Sequence, residues 1–209
     1  LEMSALPKSV LIVGGGVIGI EWASMLADFD VEVTVLEYSD QILPTEDNDI
    51  SLEMTKLLKK RDIRIKTNVK LDTKTLQVSD KGVTVSLENG QSYTAEKMLL
   101  SVGRVANIEN IGLENTDIEI ENVCIKVNEH FQTKESHIYA IGDCIGGLQL
   151  AHVASHEGIQ AVEHIAGNES MSIDYSKIAR CIYSSPEVSS VGLTEKQAID
   201  QGIQVKIGK

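Results

Sequence analysis

The stretch from Lys8 to Glu37 constrains the fold of this chain more than any other. Ser9 to Val13 is a short, continuous apolar run, the pattern of a strand buried on both faces. It stops at Gly14-Gly15-Gly16, and a helical period follows in which Ile18, Trp22, Met25, Leu26 and Phe29 form the expected inward stripe. Val31 to Leu36 is a second strand, closed by Glu37. Strand, glycine turn, helix and strand in this order and length make a parallel, right-handed βαβ unit. Gly14, Gly16 and Gly19 supply G-x-G-x-x-G at the strand-to-helix turn. In that motif the first glycine permits the turn, the second lets backbone approach a pyrophosphate, and the third lets helix and strand pack closely. The helix start offers N–H groups and partial positive charge to the phosphates. Glu37 falls 18 residues after Gly19, where an acid that binds a ribose is expected. A carboxylate accepts hydrogen bonds from a 2′-hydroxyl and repels a 2′-phosphate, and Tyr38-Ser39-Asp40-Gln41 brings no base to answer one. NAD is therefore expected over NADP; a tenfold preference needs only about 1.4 kcal/mol.

Further along, Asp47 to Arg61 reads as a helix with Ile50, Met54, Leu57 and Leu58 inward, and Ile63 to Ile65 as a third strand. The period then changes. Leu76–Val78, Val83–Leu87 and Ser92–Thr94 are short alternating segments joined by Asp80-Lys81-Gly82 and Asn89-Gly90, which are hairpin signals. An antiparallel meander is expected where a crossover helix would ordinarily stand. Met98 to Val102 returns to a continuous apolar strand. A second unit follows, with a strand at Ile138–Ile141, a loop beginning Gly142-Asp143 and a helix from about Leu150 to Ile165. Beyond Ser170 strands are expected at Ile182–Tyr183 and Val188–Val191. Thr194-Glu195-Lys196-Gln197 is a capping box, and Gly202 a helix stop.

Composition narrows the function classes. With 19 basic and 31 acidic residues the formal net charge is -12, which disfavours nucleic acid and anionic membrane as partners. No apolar run is long enough to span a membrane, and residues 1–8 lack the features of a signal peptide. Cys124, Cys144 and Cys181 are odd in number and widely spaced, as expected of reduced thiols in a cytoplasmic protein. Cys144 reads as a small buried hydrophobe, Trp22 as core, and the His152/His156 pair as a solvated or capping pair without a third metal ligand. The first residue, Leu1, and the strand-like end at Lys209 read as those of a piece of a longer polypeptide.

Several ordered motifs resemble the flavin-dependent pyridine nucleotide–disulfide oxidoreductases. They are Gly-Gly-Gly-Val-Ile-Gly-Ile-Glu at 14–21, the meander, Ser-Val-Gly-Arg at 101–104, Tyr-Ala-Ile-Gly-Asp at 139–143, Leu-Ala-His at 150–152, and Pro-Glu-Val with Val-Gly-Leu-Thr-Glu at 186–195. The resemblance implies an α/β fold: a Rossmann-like NAD-binding domain with a parallel sheet and an antiparallel meander over residues 1–106. The returning part of an FAD-binding domain would follow at 107–170, and the start of an α+β interface domain at 171–209. It implies that Gly14, Gly15, Gly16, Val17, Ile18, Gly19 and Ile20 line the nucleotide, with Glu21 near the nicotinamide, Val69 near the adenine and Gly103 where backbone closes over NAD. Asp143 would bond ribitol or ribose hydroxyls of FAD. Gln149, Leu150, Ala151 and His152 would meet the flavin at a helix start.

The family's redox-active Cys-x4-Cys pair and catalytic His are not among these residues, so the chain taken alone is expected to be inactive. As part of a full enzyme it would oxidise protein-bound dihydrolipoamide, act as a homodimer, and meet the dihydrolipoyl domain of a 2-oxo acid dehydrogenase complex. The alternatives are another NAD(P)H-linked flavin reductase (mercuric, glutathione or NADH-oxidising) or a non-catalytic NADH-sensing module. The segment after Ser170 is expected to be loosely held, because it lacks most of the sheet it should join.

Overall fold

The structure is a computed structural model that describes residues 3–168 and 172–209. The expected domain boundary at 170/171 lies outside the described residues. Ser9–Val13 forms β1, Val17–Asp28 forms α1 and Glu32–Leu36 forms β2, as the glycine pattern requires. Asn48–Lys60 is α2, with Asp47 and Arg61 as its caps, and Arg64–Lys66 is β3. Leu71–Ser79, Gly82–Leu87 and Ser92–Ala95 are β4, β5 and β6, and Lys97–Leu100 is β7. The strands β3-β2-β1-β7 make one parallel sheet, and β4-β5-β6 an antiparallel one.

Both faces of the parallel sheet are covered, which explains the unbroken apolar runs. Val10, Ile12, Val33 and Val35 share a core with Ile20, Ala23 and Leu26 of α1 and Met54 and Leu58 of α2. Leu11 and Leu36 share a second core with Val85, Leu87 and Ala95 of the meander. The meander thus takes the place of a crossover helix on that face.

Two helical faces differ from expectation. On α1 the buried residues are Gly19, Ile20, Ala23, Ser24 and Leu26, whereas Ile18, Met25 and Phe29 are exposed. Small residues let α1 lie close to the sheet, and that close approach turns the bulky stripe outward. Trp22 is partly buried against the core, as expected. On α2, Ile50 is 42% exposed and Ser51 is buried in its stead, its hydroxyl donating to the Ile42 carbonyl at 2.7 Å.

Contacts divide the chain into two compact units, Leu1–Gly103 with Ala179–Lys209, and Arg104–Ile178. The second unit holds a small hairpin, β8 (Ile120–Glu121) and β9 (Cys124–Ile125), a 3-10 turn at Gly142–Ile145, and α3 (Ala151–Ile165). Its core gathers Ala106, Ile108 and Ile125 with Cys124, Cys144 and Ile145. The strand expected at 138–141 is not a ladder strand. It makes one bridge, Gln132 to Tyr139, because no second neighbouring strand flanks it among the described residues.

The tail of the first unit is β10 (Arg180–Ile182), β11 (Val188–Ser190) and α4 (Glu195–Asp200). The capping box forms as the sequence predicts: Thr194 accepts from the Gln197 N–H, and the Gln197 side chain accepts from the Thr194 N–H. Gly202 takes a positive φ of 73° just past the helix. This tail is not loosely attached. Ile182 is buried in the main core with Val188 against it, and the Glu195 N–H bonds Asp47 at 2.8 Å. Residues 180–200 therefore anchor on the first unit through a few buried side chains, among them Ile182 and Ala198, while residues 201–209 stay exposed.

Candidate functional site

The glycine loop leaves β1 at its C-terminal end, the end at which open α/β sheets bind ligands. Its backbone is fastened on several sides. The Gly14 N–H bonds the Leu36 carbonyl at 2.8 Å, the Leu43 N–H bonds the Gly15 carbonyl at 2.8 Å, and the Ser101 hydroxyl lies 3.0 Å from the carbonyls of Val13 and Gly14. The glycines then separate by role. A Cβ on Gly14, where φ is +104°, would stand 2.3 Å from the Ser101 carbonyl oxygen, and one on Gly19 would stand 1.9 Å from the Gly14 oxygen. A Cβ on Gly16 would meet nothing within 4 Å. Gly14 and Gly19 are thus required by the turn and the helix packing, while Gly16 faces open space at the start of α1. No side chain caps that helix and no acid stands in its first turn. Open space against an uncapped helix start, on a rigid loop, fits a dinucleotide pyrophosphate.

Glu37 ends β2 beside this loop and is only 8% exposed. Its Oε2 accepts from the Gly15 N–H at 2.5 Å and its Oε1 from the Ser39 N–H at 2.6 Å. The acid is thereby oriented by the loop, and each oxygen keeps a lone pair with which it could accept a further hydrogen bond. The Val69 N–H bonds the Glu37 carbonyl at 3.1 Å and the Asn68 N–H bonds Ser39 at 2.8 Å, so Val69 stands at the far side of the same corner. Val17, Ile18 and Ile20 lie in the first turn of α1, with Ile18 outward and Ile20 in the core. Glu21, one turn on, accepts from the Tyr183 N–H at 2.8 Å, which ties the tail to α1. Gly103 is exposed, with φ of +128°. A groove of this unit lined by Asp30, Glu32, Arg61, Arg64 and Lys66 opens at the opposite strand ends and carries none of these residues.

In the second unit Asp143 sits in the 3-10 turn before α3. Arg104 Nη1 bonds its Oδ2 at 2.8 Å, while Arg104 Nη2 reaches both the backbone carbonyl and the side-chain oxygen of Gln149 at 3.3 Å. Leu150 is the N-cap residue of α3, and Ala151 and His152 lie in its first turn, which no side chain caps. Asp143 is half-exposed, with Oδ1 unpartnered among the described residues. An available carboxylate oxygen next to an uncapped helix start suits the hydroxyl and anionic groups of a flavin nucleotide. Cys144, by contrast, is only partly buried against this unit's core, donates to the Ile141 carbonyl at 3.1 Å, and has its thiol pushed up by that burial. The sequence suggested a buried small hydrophobe, and the burial found is partial.

The sequence did not single out Ser101 or Arg104, nor Glu157 of α3, whose carboxylate accepts from the Gly142 N–H at 2.7 Å. The first two stand inside the quoted Ser-Val-Gly-Arg segment, so the signal was present; Glu157 is a lone acid in a helix and carried none. Among the described residues no helix is long and apolar enough to cross a membrane, and no cluster of three or more His, Cys, Asp or Glu is placed to hold a metal ion.

A parallel sheet closed by a glycine loop and an acid at the second strand's end defines a dinucleotide-binding α/β protein. The chain belongs to the pyridine nucleotide-disulphide oxidoreductase family, whose model matches residues 1–158, and the family's dimerisation domain matches residues 178–209. Its similar proteins are more particular. It is 61% identical over its whole length to a dihydrolipoyl dehydrogenase of Bacillus subtilis and 43% identical to one of Zymomonas mobilis, covering 45% of each. Among solved structures, LpdA from Mycobacterium tuberculosis aligns with a TM-score of 0.86 at 31% identity, over 96% of this chain and 43% of that one. The HOCl-induced flavoprotein disulfide reductase RclA from Escherichia coli aligns at 0.88 and 29%, over 96% and 46%. The chain thus spans about half the length of the relatives it matches.

Proposed function

We propose that these residues form part of a dihydrolipoyl dehydrogenase, which oxidises protein-bound dihydrolipoamide and passes the electrons through a redox disulfide and FAD to NAD. Residues 1–106 bind NAD, 107–170 return to the FAD domain, and 171–209 begin the interface of a homodimer. The observation that carries this reading is the open Gly16 at the uncapped start of α1, with Glu37 oriented beside it. The 61% identity to the Bacillus enzyme supports the choice within the family. FAD, when bound, supplies two-electron transfer between a dithiol and NAD. The chain's residues bind and orient: the loop from Gly14 to Gly19 with Val17, Ile18 and Ile20 receives the pyrophosphate, and Glu37 accepts from the adenosine ribose. Val69 flanks the adenine, while Glu21 and Gly103 border the nicotinamide side. Asp143 accepts from flavin hydroxyls, and Gln149, Leu150, Ala151 and His152 present a helix start to the flavin.

The buried, hydrogen-bonded Glu37 leaves no place for a 2′-phosphate, which favours NAD over NADP. The physiological partner in this reading is the dihydrolipoyl domain of a 2-oxo acid dehydrogenase complex, met in the cytoplasm. An assay of the full-length enzyme with dihydrolipoamide and NAD tests it. Turnover with that pair well above turnover with glutathione disulfide, mercuric ion or oxygen is expected; the reverse order would assign the chain to another branch of the family.

A further inference from the structure

We propose that Glu157 is a positioning residue for the flavin site, holding Gly142 so that Asp143 presents its carboxylate in a fixed place. The proposal rests on the reading of Asp143 as a flavin ligand. Gly142 takes a positive φ of 74° at the entry to the 3-10 turn, and its N–H is accepted by Glu157 Oε2 at 2.7 Å. Glu157 lies on α3, nearly two turns from its start, and is only 3% exposed. Its Oε1 accepts from the Tyr175 hydroxyl at 2.9 Å. No basic side chain pairs with this carboxylate among the described residues, so two neutral donors are what offset its burial. A buried acid held in this way is costly unless its bonds are needed, and one of them fixes the residue next to Asp143.

The arrangement clamps the turn from two directions. Arg104 takes the Asp143 carboxylate from the side-chain end, and Glu157 takes the backbone just before it. Tyr175, its pKa pushed up to about 12 by burial and by the Glu157 carboxylate, keeps its proton at neutral pH and remains a donor. Moving a ligating carboxylate by about 1 Å is enough to lose most of a binding contact, so Glu157 acts on flavin without touching it.

The chemistry of the pair makes the inference testable in the full-length enzyme. In Glu157→Gln the amide oxygen accepts from Gly142 while the amide nitrogen donates to the Tyr175 oxygen, so both bonds survive without the charge. In Glu157→Ala both are lost, and in Tyr175→Phe the Glu157 side chain loses one anchor. FAD affinity is read by flavin fluorescence on reconstitution, the flavin's surroundings by visible circular dichroism, and NADH affinity in the same protein as an internal control. Glu157→Ala is expected to weaken FAD binding at least about tenfold and to alter the visible dichroism, with Glu157→Gln restoring both and NADH affinity unchanged. Tyr175→Phe is expected to weaken FAD binding by a smaller factor, and it decides the matter if Glu157→Ala is insoluble. FAD binding unchanged in Glu157→Ala, or in Tyr175→Phe where that variant decides, or a Gln variant as impaired as Ala, overturns the proposal. Asp143→Ala, run alongside, separates the two ideas. If it weakens FAD binding while the Glu157 and Tyr175 variants do not, the positioning role alone fails. If it leaves FAD binding unchanged, the reading of Asp143 fails and the proposal fails with it.

Discussion

Gly16 and Gly19, three residues apart in one motif, answer to different forces. Gly19→Ala places a Cβ 1.9 Å from the Gly14 oxygen, a backbone atom that cannot step aside. It is expected to cost about 3 kcal/mol of stability by overpacking, read as a lowered denaturation midpoint. Gly16→Ala meets nothing within 4 Å and has an ordinary φ of -72°, so stability is unchanged or rises slightly. Its methyl group instead occupies the space left for phosphate, and NADH affinity is expected to fall at least about tenfold, roughly 1.4 kcal/mol. Equal stability losses in the two variants would show that the loop's glycines are all merely structural. The thiols give a second contrast. Cys181 is exposed, whereas Cys144 is partly buried against a core with its thiol pushed up by that burial. Since the thiolate is the reactive form, maleimide at neutral pH is expected to label Cys181 first and Cys144 slowly. Mass-spectrometric mapping of a partial reaction checks this, and a Cys144 labelled as fast as Cys181 would contradict the shielding by partial burial.

The elements were legible where one force dominated. The βαβ unit, the meander and the capped helix α4 could be read because glycine turns, strand alternation and capping chemistry are local. The face of α1 could not, because which stripe goes inward depends on how closely the helix lies on the sheet, and bulk lost to small residues there. The strand expected at 138–141 failed for a related reason: an apolar run becomes a ladder strand only with neighbours to pair with. The docking of β10, β11 and α4 was invisible for want of any local signal. Arg61 contributes to it: its guanidinium donates to Ser24 Oγ and Ser185 O at 2.7 Å, to Ser24 O at 2.9 Å and to Asp28 at 2.6 Å. Arg61→Ala is expected to destabilise the first unit by about 2–4 kcal/mol and to speed amide exchange in Arg180–Ile182 while β1 stays protected. Unchanged exchange in β10 would remove Arg61 from this role.

For the molecule as a whole, the net charge of -12 bears directly on the role proposed for the glycine loop. A dinucleotide is an anion, and a strongly acidic chain repels it at long range. In the proposed reading binding comes from a local field, the bare amide end of α1, in a neighbourhood where the acid is buried and already bonded. The loop and its acid were readable from spacing, whereas the choice of Asp143 rested on the family resemblance of residues 139–143. What spacing could not convey is that Glu37 is shaped by Gly15 and Ser39, or that Asp143 is held by Arg104, since those partners meet only in three dimensions. The most direct test of this account is calorimetric titration of the 209-residue chain with NADH and, in parallel, with NADPH. The account predicts micromolar-range NADH binding with NADPH at least about tenfold weaker. Equal affinity for the two, or no binding of either, would contradict it.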